Sequence, residues 1–342
     1  MIAYKYRAGR GVKDCAGKDI FERDIRLLTQ DTIFIPTAEQ LNDPAETLFD
    51  DSLLKRQIGL FKPFVSKDTM ERVEESLRAL CNKVRSSGIY SLSKVVDNEL
   101  MWAYYASGHS GYAIIFDTDV LSKSYENGKW GGMYEIDVVY SSKLPRFDIS
   151  FVENSDMKKT LACFVGTKST AWKHEAEHRL IFEEGNKRLK IDYRSIKGFV
   201  FGCKMNCDDI DYVMKLFAGR DLEYYQIKLK KDSYKLVLNK LSDNYPTTEK
   251  YCPNNVTYNV DALLEYDECV GGVGYRYRDF VEDALKEVIR DPFVTSISHI
   301  VVSDDKRYPH IMVWTKIHQD GTFKKMRLYE FDVIDGLRNC WS

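Results

Sequence analysis

The chain has 342 residues, and 44% of them are apolar, which is enough to bury the core of one large domain or of two ordinary ones. The 50 lysines and arginines nearly cancel the 52 aspartates and glutamates, so no overall field attracts nucleic acid or an anionic membrane. Apolar runs such as Tyr112–Phe116 fall short of the roughly 20 residues of a membrane helix. We therefore expect a globular protein without a membrane partner.

The cysteines and the start of the chain indicate a reducing compartment. Eight cysteines are scattered along the chain, and the first residues, MIAYKYRAGRG, lack the apolar core of a secretory signal. We expect a cytoplasmic protein with free or buried thiols. Cys203 and Cys207 are the closest pair, but no second pair or suitably spaced histidine completes four zinc ligands. No metal is expected.

Short β-rich segments alternate with amphipathic helices in the first part of the chain. The clearest helical pattern covers residues 67–85, where apolar side chains recur at helical spacing opposite a charged face. Asp97 or Asn98 is a suitable cap for a short aromatic helix that stops at Gly108. The other elements predicted here are a helix at 20–28 and strands at 2–6, 32–35, 89–92 and 111–117.

The same mixed pattern continues towards residue 240. It predicts strands at 135–140 and 224–229, helices near 156–165 and 208–217, and a further element at 191–201. Because the elements do not follow a regular β-α-β alternation, we predict an α+β fold with mixed, mainly antiparallel sheets and packed helices.

A polar stretch separates two predicted domains. Residues 241–255 contain two prolines and little periodicity, which is typical of a linker or a long connection. Residues 1–240 form the larger predicted domain and carry the candidate site. Residues 256–342 are predicted to form a small C-terminal α+β domain, with a helix at 277–289 and strands at 299–303, 311–317 and 325–331.

The sequence AWKHEAEHR, which ends at Arg179, has two interpretations. On a helix, His174 and His178 lie on one face at i and i+4, where both imidazoles can hold Zn²⁺ while Glu175 activates water. Charged residues inside the motif and the lack of an evident third ligand disfavour this zinc-protease interpretation.

An extended backbone is the favoured interpretation of the same segment. It continues into the β-type residues of 179–182 and a Glu-Glu-Gly turn, without a helical stripe. With period-two alternation, Glu175, Glu177 and Arg179 point to one face of a strand and both histidines point to the other. Two carboxylates and a guanidinium are costly to bury without a function, although a solvated edge strand with surface ion pairs has the same pattern.

A second group of candidates precedes this segment. Ser91 and Ser93 lie on a predicted strand, followed by an unusually aromatic helix that contains Trp102 and Tyr105. His109 then follows in a turn flanked by glycines, where the backbone can approach a ligand closely. Aromatic helices are more often part of a core. His109 is therefore the main reason to expect a binding site in this part of the chain.

The order of these pieces resembles a known family. YKYR at residues 4–7 and NDPAE at residues 42–46 are ordinary strand and turn sequences when taken singly. In order with SLS at 91–93, NELMWAYYA at 98–106, HSGY at 109–112 and KSTAWKHEAEHR at 168–179, they resemble the bacterial family DUF2971. With the strand near 196–202 and the helix that follows it, the resemblance covers about residues 1–240. The positions kept in the family are Trp172, Glu175, Glu177 and Arg179, which implies that the H-E-x-x-H spacing is accidental.

A weaker resemblance is to the ADP-ribosyltransferases, in which a basic or aromatic strand, a serine-rich strand and a late E-x-E strand follow one another. It implies an ADP-ribosyltransferase-like core, in which Glu177 stabilises the cationic ribose as nicotinamide leaves and Glu175 orients the acceptor. It also implies cofactor-binding roles for Tyr6, Arg7, Asn42, Asp43, Ser93, Trp102, Tyr105, His109 and Arg179.

Some of these roles are specific. Arg7 or Arg179 is expected to contact the phosphates, Tyr105 or Trp102 to stack on the nicotinamide, and His109 to contact the ribose or the acceptor. The chain departs from the usual pattern because it has no S-T-S sequence and no clear arginine or histidine at the first-motif position.

The resemblances imply an NAD-dependent ADP-ribosyltransferase or NAD glycohydrolase, with NAD as the small-molecule nucleotide and a protein or nucleic acid as acceptor. They also imply that the protein acts as a toxin or as a phage-defence effector. The alternative is a non-catalytic nucleotide-sensing or protein-interaction module, in which the C-terminal domain binds a protein partner. A metal-dependent hydrolase built on the two histidines is the third interpretation.

Overall fold

The computed structural model describes residues 1–64, 66–123, 133–146, 157–304, 308–319, 323–333 and 337–340. They form two compact units. The first contains Met1–Leu189, Arg194–Phe217 and Asp221–Tyr245, and the second contains Lys190–Tyr193, Ala218–Arg220 and the described part of Pro246–Ser342. The first unit thus ends at Tyr245, inside the stretch predicted as a linker.

The first unit is built on a large, mainly antiparallel sheet. The strands of this unit are β1 (Ile2–Arg7), β2 (Thr32–Ile35), β3 (Gly88–Ser93), β4 (Tyr112–Asp117), β5 (Tyr134–Asp137), β6 (Val139–Ser141), β7 (Thr167–Ser169), β8 (Glu177–Phe182), β9 (Lys187–Lys190), β10 (Ile196–Phe201), β11 (Glu223–Leu229) and β12 (Leu236–Leu241). Eight of them form one sheet in the order β12-β11-β10-β4-β1-β3-β8-β5, in which only β10 and β11 run parallel. Two small pairs, β2 with β9 and β6 with β7, lie outside it.

Helices accompany this sheet along the chain. They are α1 (Ile20–Thr29), α2 (Ser52–Phe61), α3 (Lys67–Ser86), α4 (Glu99–Tyr105), α5 (Thr118–Lys123), α6 (Met157–Val165) and α7 (Cys207–Leu216). Among the helices of the described residues, none has both the length and the apolar character that a bilayer crossing requires.

Polar side chains define where two important helices begin. Asp19 caps α1, because its Oδ1 accepts the backbone N–H of Glu22 at 3.1 Å. Asn98 caps α4 by accepting the N–H groups of Leu100 and Met101, which settles the choice between the two predicted caps. Both helices contribute side chains to a cavity beside β1, so the caps fix the position of part of its wall.

The second unit contains its own antiparallel sheet, in which β13 (Val294–Ser303), β14 (His310–Gln319), β15 (Phe323–Val333) and β16 (Leu337–Cys340) are neighbours in chain order. Helices α8 (Val260–Cys269) and α9 (Arg278–Val288) pack against it. The fully buried Asp267 accepts the N–H groups of Gly274 and Val302 at 2.6 and 2.7 Å, which fastens the end of α8 to the sheet.

The predicted α+β class, with mainly antiparallel sheets and a separate small C-terminal unit, is confirmed. The strand predicted at 32–35 has the observed bounds, and the helix predicted at 67–85 extends by one residue. The sequence did not predict α2, β9, β12 or α8. In the helix predicted near 156–165, residue 156 lies outside the described residues.

Candidate functional site

A cavity of about 510 Å³ opens where β1 and β3 separate. The register pairs these strands only at Tyr4 and Ser93, whereas each pairs along six positions with its other neighbour. Consecutive residues 4–7 and 90–93 line the cavity, although consecutive side chains of a strand point to opposite faces. The cavity therefore reaches both faces of the sheet through the gap, and its volume is in the range of small-molecule sites.

One end of the cavity is closed by a buried ionic cluster centred on Arg179. The Arg179 side chain has no exposed surface, and its guanidinium donates to both carboxylate oxygens of Glu46 and of Glu177, at 2.6 to 3.0 Å. It also donates to the carbonyl oxygen of Val165 at 2.6 Å. These bonds use every donor direction of the guanidinium, so Arg179 connects β8 to the turn at 42–46 and to the end of α6.

Lys168 is the second cation of this ionic cluster. Its Nζ lies 2.6 Å from Glu175, 3.2 Å from Glu177 and 3.5 Å from Glu46. Tyr105 donates its hydroxyl to the other carboxylate oxygen of Glu175. Three carboxylates share two cations, so the formal charge of the ionic cluster is negative where Glu175 and Glu177 line the cavity.

The two cations decide the protonation of Glu177. Burial alone favours the neutral acid, but Arg179 and Lys168 outweigh it and hold the pKa of Glu177 at about 2. Burial also opposes the charge on Lys168, yet Glu177 and Glu175 raise its pKa. Burial and the bond to Glu175 raise the pKa of Tyr105, so its hydroxyl stays a donor at neutral pH.

The backbone around Glu175 differs from the predicted strand. Residues Thr170–Glu175 form a 3₁₀ helix, Ala176 has the left-handed φ of 44°, and the strand begins only at Glu177. The extended interpretation is therefore correct for 177–182 and wrong for 171–175. Bonds from distant side chains favour the turn, because Ser93 Oγ donates to the carbonyl of Glu175 at 2.6 Å and Asn98 Nδ2 to that of His174 at 3.0 Å.

The far end of the cavity is basic. Arg7 Nε and Arg23 Nε donate to the two oxygens of the buried Asp24 at 2.5 and 3.1 Å, so two guanidiniums share one carboxylate of the lining. Asp14, outside the lining, accepts from Arg23 at 3.1 Å. The lining at this end thus holds two guanidiniums and one carboxylate, which is a positive formal balance.

Lys5 lies between the two ends. Its Nζ donates to the carbonyl oxygen of Ser91 at 2.8 Å and lies 4.6 Å from the centre of the Tyr90 ring. Burial and the neighbouring Arg7 lower the pKa of Lys5 to about 7. The ammonium thus bridges the strands where their ladder is missing.

The cavity includes some predicted residues and excludes others. Tyr6, Arg7, Asn42, Ser93 and Tyr105 line it together with the two glutamates. Outside the lining are Trp102, Asp43, His109 and Arg179.

Each excluded side chain has another role. Trp102 is in the core, where Nε1 donates to the Val96 carbonyl at 2.6 Å, so of the two candidate aromatics only Tyr105 faces the cavity. Asp43 Oδ1 accepts the Ala45 N–H and shapes the turn that carries Glu46. Arg179 has no donor left for a phosphate. His109 has a φ of 72° in the turn after α4, and its carbonyl accepts the Lys204 N–H.

The cavity also has lining residues that were not predicted as site residues, namely Lys5, Asp24, Glu46 and Lys168. Glu46 and Lys168 belong to the quoted motifs, which is the signal that identifies them. Lys5 lies inside the YKYR motif, but period-two alternation predicts only that its side chain points to the other face of the strand from Tyr6. It does not predict the gap between β1 and β3.

The two histidines of H-E-x-x-H lie on different elements. His174 is in the 3₁₀ helix and its Nδ1 bonds to the Ala171 carbonyl at 3.1 Å, whereas His178 is on β8 between Asp137 and Glu135, at 2.8 and 3.2 Å. They do not share the helical face that a zinc pair needs. Across the described ranges, no group of three or more His, Cys, Asp or Glu side chains has the arrangement of a metal site.

Comparison with known proteins concerns the middle of the first unit. Residues 101–180 match the model of a family described as "Protein of unknown function (DUF2971)". This segment is similar to that family. It contains Tyr105, Lys168 and the three ionic residues Glu175, Glu177 and Arg179, so much of the acidic end of the cavity lies within the matched segment. Neither curated proteins nor solved structures gave a significant match.

Replacing Arg179 tests the ionic cluster. Arg179→Leu leaves Glu46 and Glu177 buried without their partner, so we expect a loss of about 3–5 kcal/mol in the free energy of unfolding. Urea denaturation measures it. Arg78→Leu removes an arginine paired with Glu74 on the exposed face of α3 and should cost far less. Equal effects of the two substitutions would contradict the described role of Arg179.

The low pKa of Glu177 predicts an acid dependence. Between its ordinary value of 4.5 and about 2, the unfolded chain binds a proton that the folded chain does not. The stability that Glu177 contributes is therefore complete above about pH 4.5 and is lost as the pH falls towards 2. Urea denaturation of wild type and Glu177→Gln should show a stability difference that shrinks over this window. A stability difference between the two proteins that does not change with pH would contradict the low pKa of Glu177.

Proposed function

We propose that the first unit binds NAD in the cavity between β1 and β3 and cleaves its nicotinamide–ribose bond, transferring ADP-ribose to water or to another acceptor. The observation that carries the proposal is one cavity with two buried glutamates at one end and two guanidiniums that share a carboxylate at the other. A nucleotide with a diphosphate and a cationic ring is complementary to both ends.

The acidic end suits the bond that breaks. When nicotinamide leaves with the bonding electron pair, positive charge develops on the ribose, and a fixed carboxylate stabilises that charge without reorganisation. Water or an acceptor hydroxyl then attacks the same carbon and loses a proton. The formal negative charge of the ionic cluster is directed at the cavity by Glu175 and Glu177.

The contacts favour Glu175, and not Glu177, as the carboxylate beside the ribose. Glu177 accepts two bonds from Arg179 and one from Lys168, so its charge is largely compensated. Glu175 accepts from one cation, Lys168, and from the neutral hydroxyl of Tyr105. We therefore exchange the roles expected from sequence: Glu175 stabilises the ribose, and Glu177 positions Lys168.

The basic end suits the diphosphate. Arg7 and Arg23 both bond to Asp24, which fixes the orientation of each guanidinium before a ligand binds. Planar guanidiniums are well suited to phosphate oxygens. Tyr105 lines the cavity and bonds to Glu175, which supports stacking of its ring on the nicotinamide when Glu175 contacts the adjoining ribose.

Release of nicotinamide from NAD⁺ tests this proposal. Glu175→Gln keeps the shape of the side chain and removes its charge, so we expect the rate to fall by about 10²–10³-fold. Glu74→Gln, on the exposed face of α3, is the matched control and should keep the wild-type rate. Thermal unfolding of all three proteins verifies that they are folded.

Two results would contradict the proposal. Folded wild type that releases no nicotinamide with water or with added acceptors, but binds NAD⁺ in a calorimetric titration, would favour the nucleotide-sensing alternative. Release that persists unchanged in folded Glu175→Gln would exclude this carboxylate from the reaction.

A further inference from the structure

Lys5 is a lysine whose surroundings do not stabilise its charge. Among the described residues its Nζ forms no ion pair, and its hydrogen bond goes to a neutral carbonyl, that of Ser91, at 2.8 Å. The groups whose charges act on it are Arg7, which disfavours the ammonium, and Glu177, Asp24 and Glu175, which favour it less strongly than burial opposes it.

Lys168 provides a comparison within the same cavity. Its Nζ lies within 3.5 Å of three carboxylates, which favour the ammonium, and it donates to two of them, Glu175 and Glu177. Lys5, by contrast, has one short bond to oxygen and an aromatic face at 4.6 Å. The contact with Tyr90 favours the ammonium, whereas burial and the neighbouring Arg7 lower the pKa of Lys5 to about 7. The two lysines therefore differ in availability as nucleophiles.

We propose that Lys5 Nζ is a nucleophilic amine that forms an imine with a small aldehyde or ketone that enters the cavity. The geometry that supports the proposal is the gap between β1 and β3, where the partly exposed Lys5 lines a cavity of about 510 Å³. Lysines that are desolvated or lie next to another cation are the ones that proteins use for this chemistry. The proposal is independent of NAD cleavage.

The reaction balances without an oxidant or a reductant. The lone pair of the neutral Nζ attacks the carbonyl carbon, and the carbonyl electrons move to its oxygen. That oxygen takes both protons of the amine and leaves as water, and the carbon–nitrogen double bond remains. An amine that reacts in this way must be deprotonated near pH 7, where the neighbouring Arg7 and the lack of a carboxylate partner favour it.

Reductive trapping tests the proposal without NAD. The full-length protein is incubated with neutral pyridoxal at several pH values, the imine is reduced with borohydride, and the modified lysines are identified by peptide mass spectrometry. At pH 7.5 an ordinary lysine is unprotonated in roughly one molecule per thousand. We expect Lys5 to be modified at least about tenfold faster than the exposed Lys67, with a midpoint near pH 7, and Lys168 to stay unmodified.

Controls separate reactivity from other causes of labelling. Lys5→Arg should lose the modification while thermal unfolding shows that it is folded, and urea-unfolded wild type should modify Lys5 and Lys67 at equal rates. Modification of Lys5 no faster than Lys67 in the folded protein would overturn the proposal. The proposal would also be overturned if pyridoxal 5′-phosphate modified Lys5 but neutral pyridoxal did not. Attraction of the phosphate group, and not the reactivity of the amine, would then explain the labelling.

Discussion

The buried guanidinium of Arg179 is the interaction on which the acidic end of the cavity depends. Its donors are divided among a strand, the turn at 42–46 and the end of a helix, so three distant parts of the chain meet at one charge. Taking a guanidinium out of water costs several kcal/mol, and only a full set of charge-assisted bonds offsets that cost. Glu46 and Glu177 accept four of them, and Lys168 lies within 3.5 Å of the same two carboxylates.

The gap between β1 and β3 is the second constraint. A regular sheet would pair these strands along their length, but the ladder is interrupted after Tyr4 and Ser93. Lys5 satisfies one carbonyl across the gap, and α1 covers it with Asp24 and Arg23. A sheet that gives up backbone bonds must satisfy those groups elsewhere, and Lys5, which lines the cavity, does so for the Ser91 carbonyl.

The sequence predicted the parts of this structure that depend on local patterns. Periodicity located the helix at 67–85 and the strand at 32–35, because each pattern is set within the element. It failed at 171–175, where alternation indicated a strand but hydrogen bonds from Ser93 and Asn98 stabilise a turn. Glu175 and Glu177 still meet, through Lys168 and not through a shared strand face. Hydrogen bonds and ion pairs of this kind join residues that are far apart in the sequence. A pattern within one helix or strand cannot predict them.

In our proposal, the cavity between β1 and β3 binds NAD with its ribose at the acidic end. A crystal structure of Glu175→Gln with NAD⁺, in which turnover is slowed, tests it most directly. We expect the diphosphate against Arg7 and Arg23, and the nicotinamide ribose beside position 175 and the Tyr105 ring. NAD⁺ bound elsewhere, or a cavity without it at a concentration that saturates binding in solution, would contradict the account.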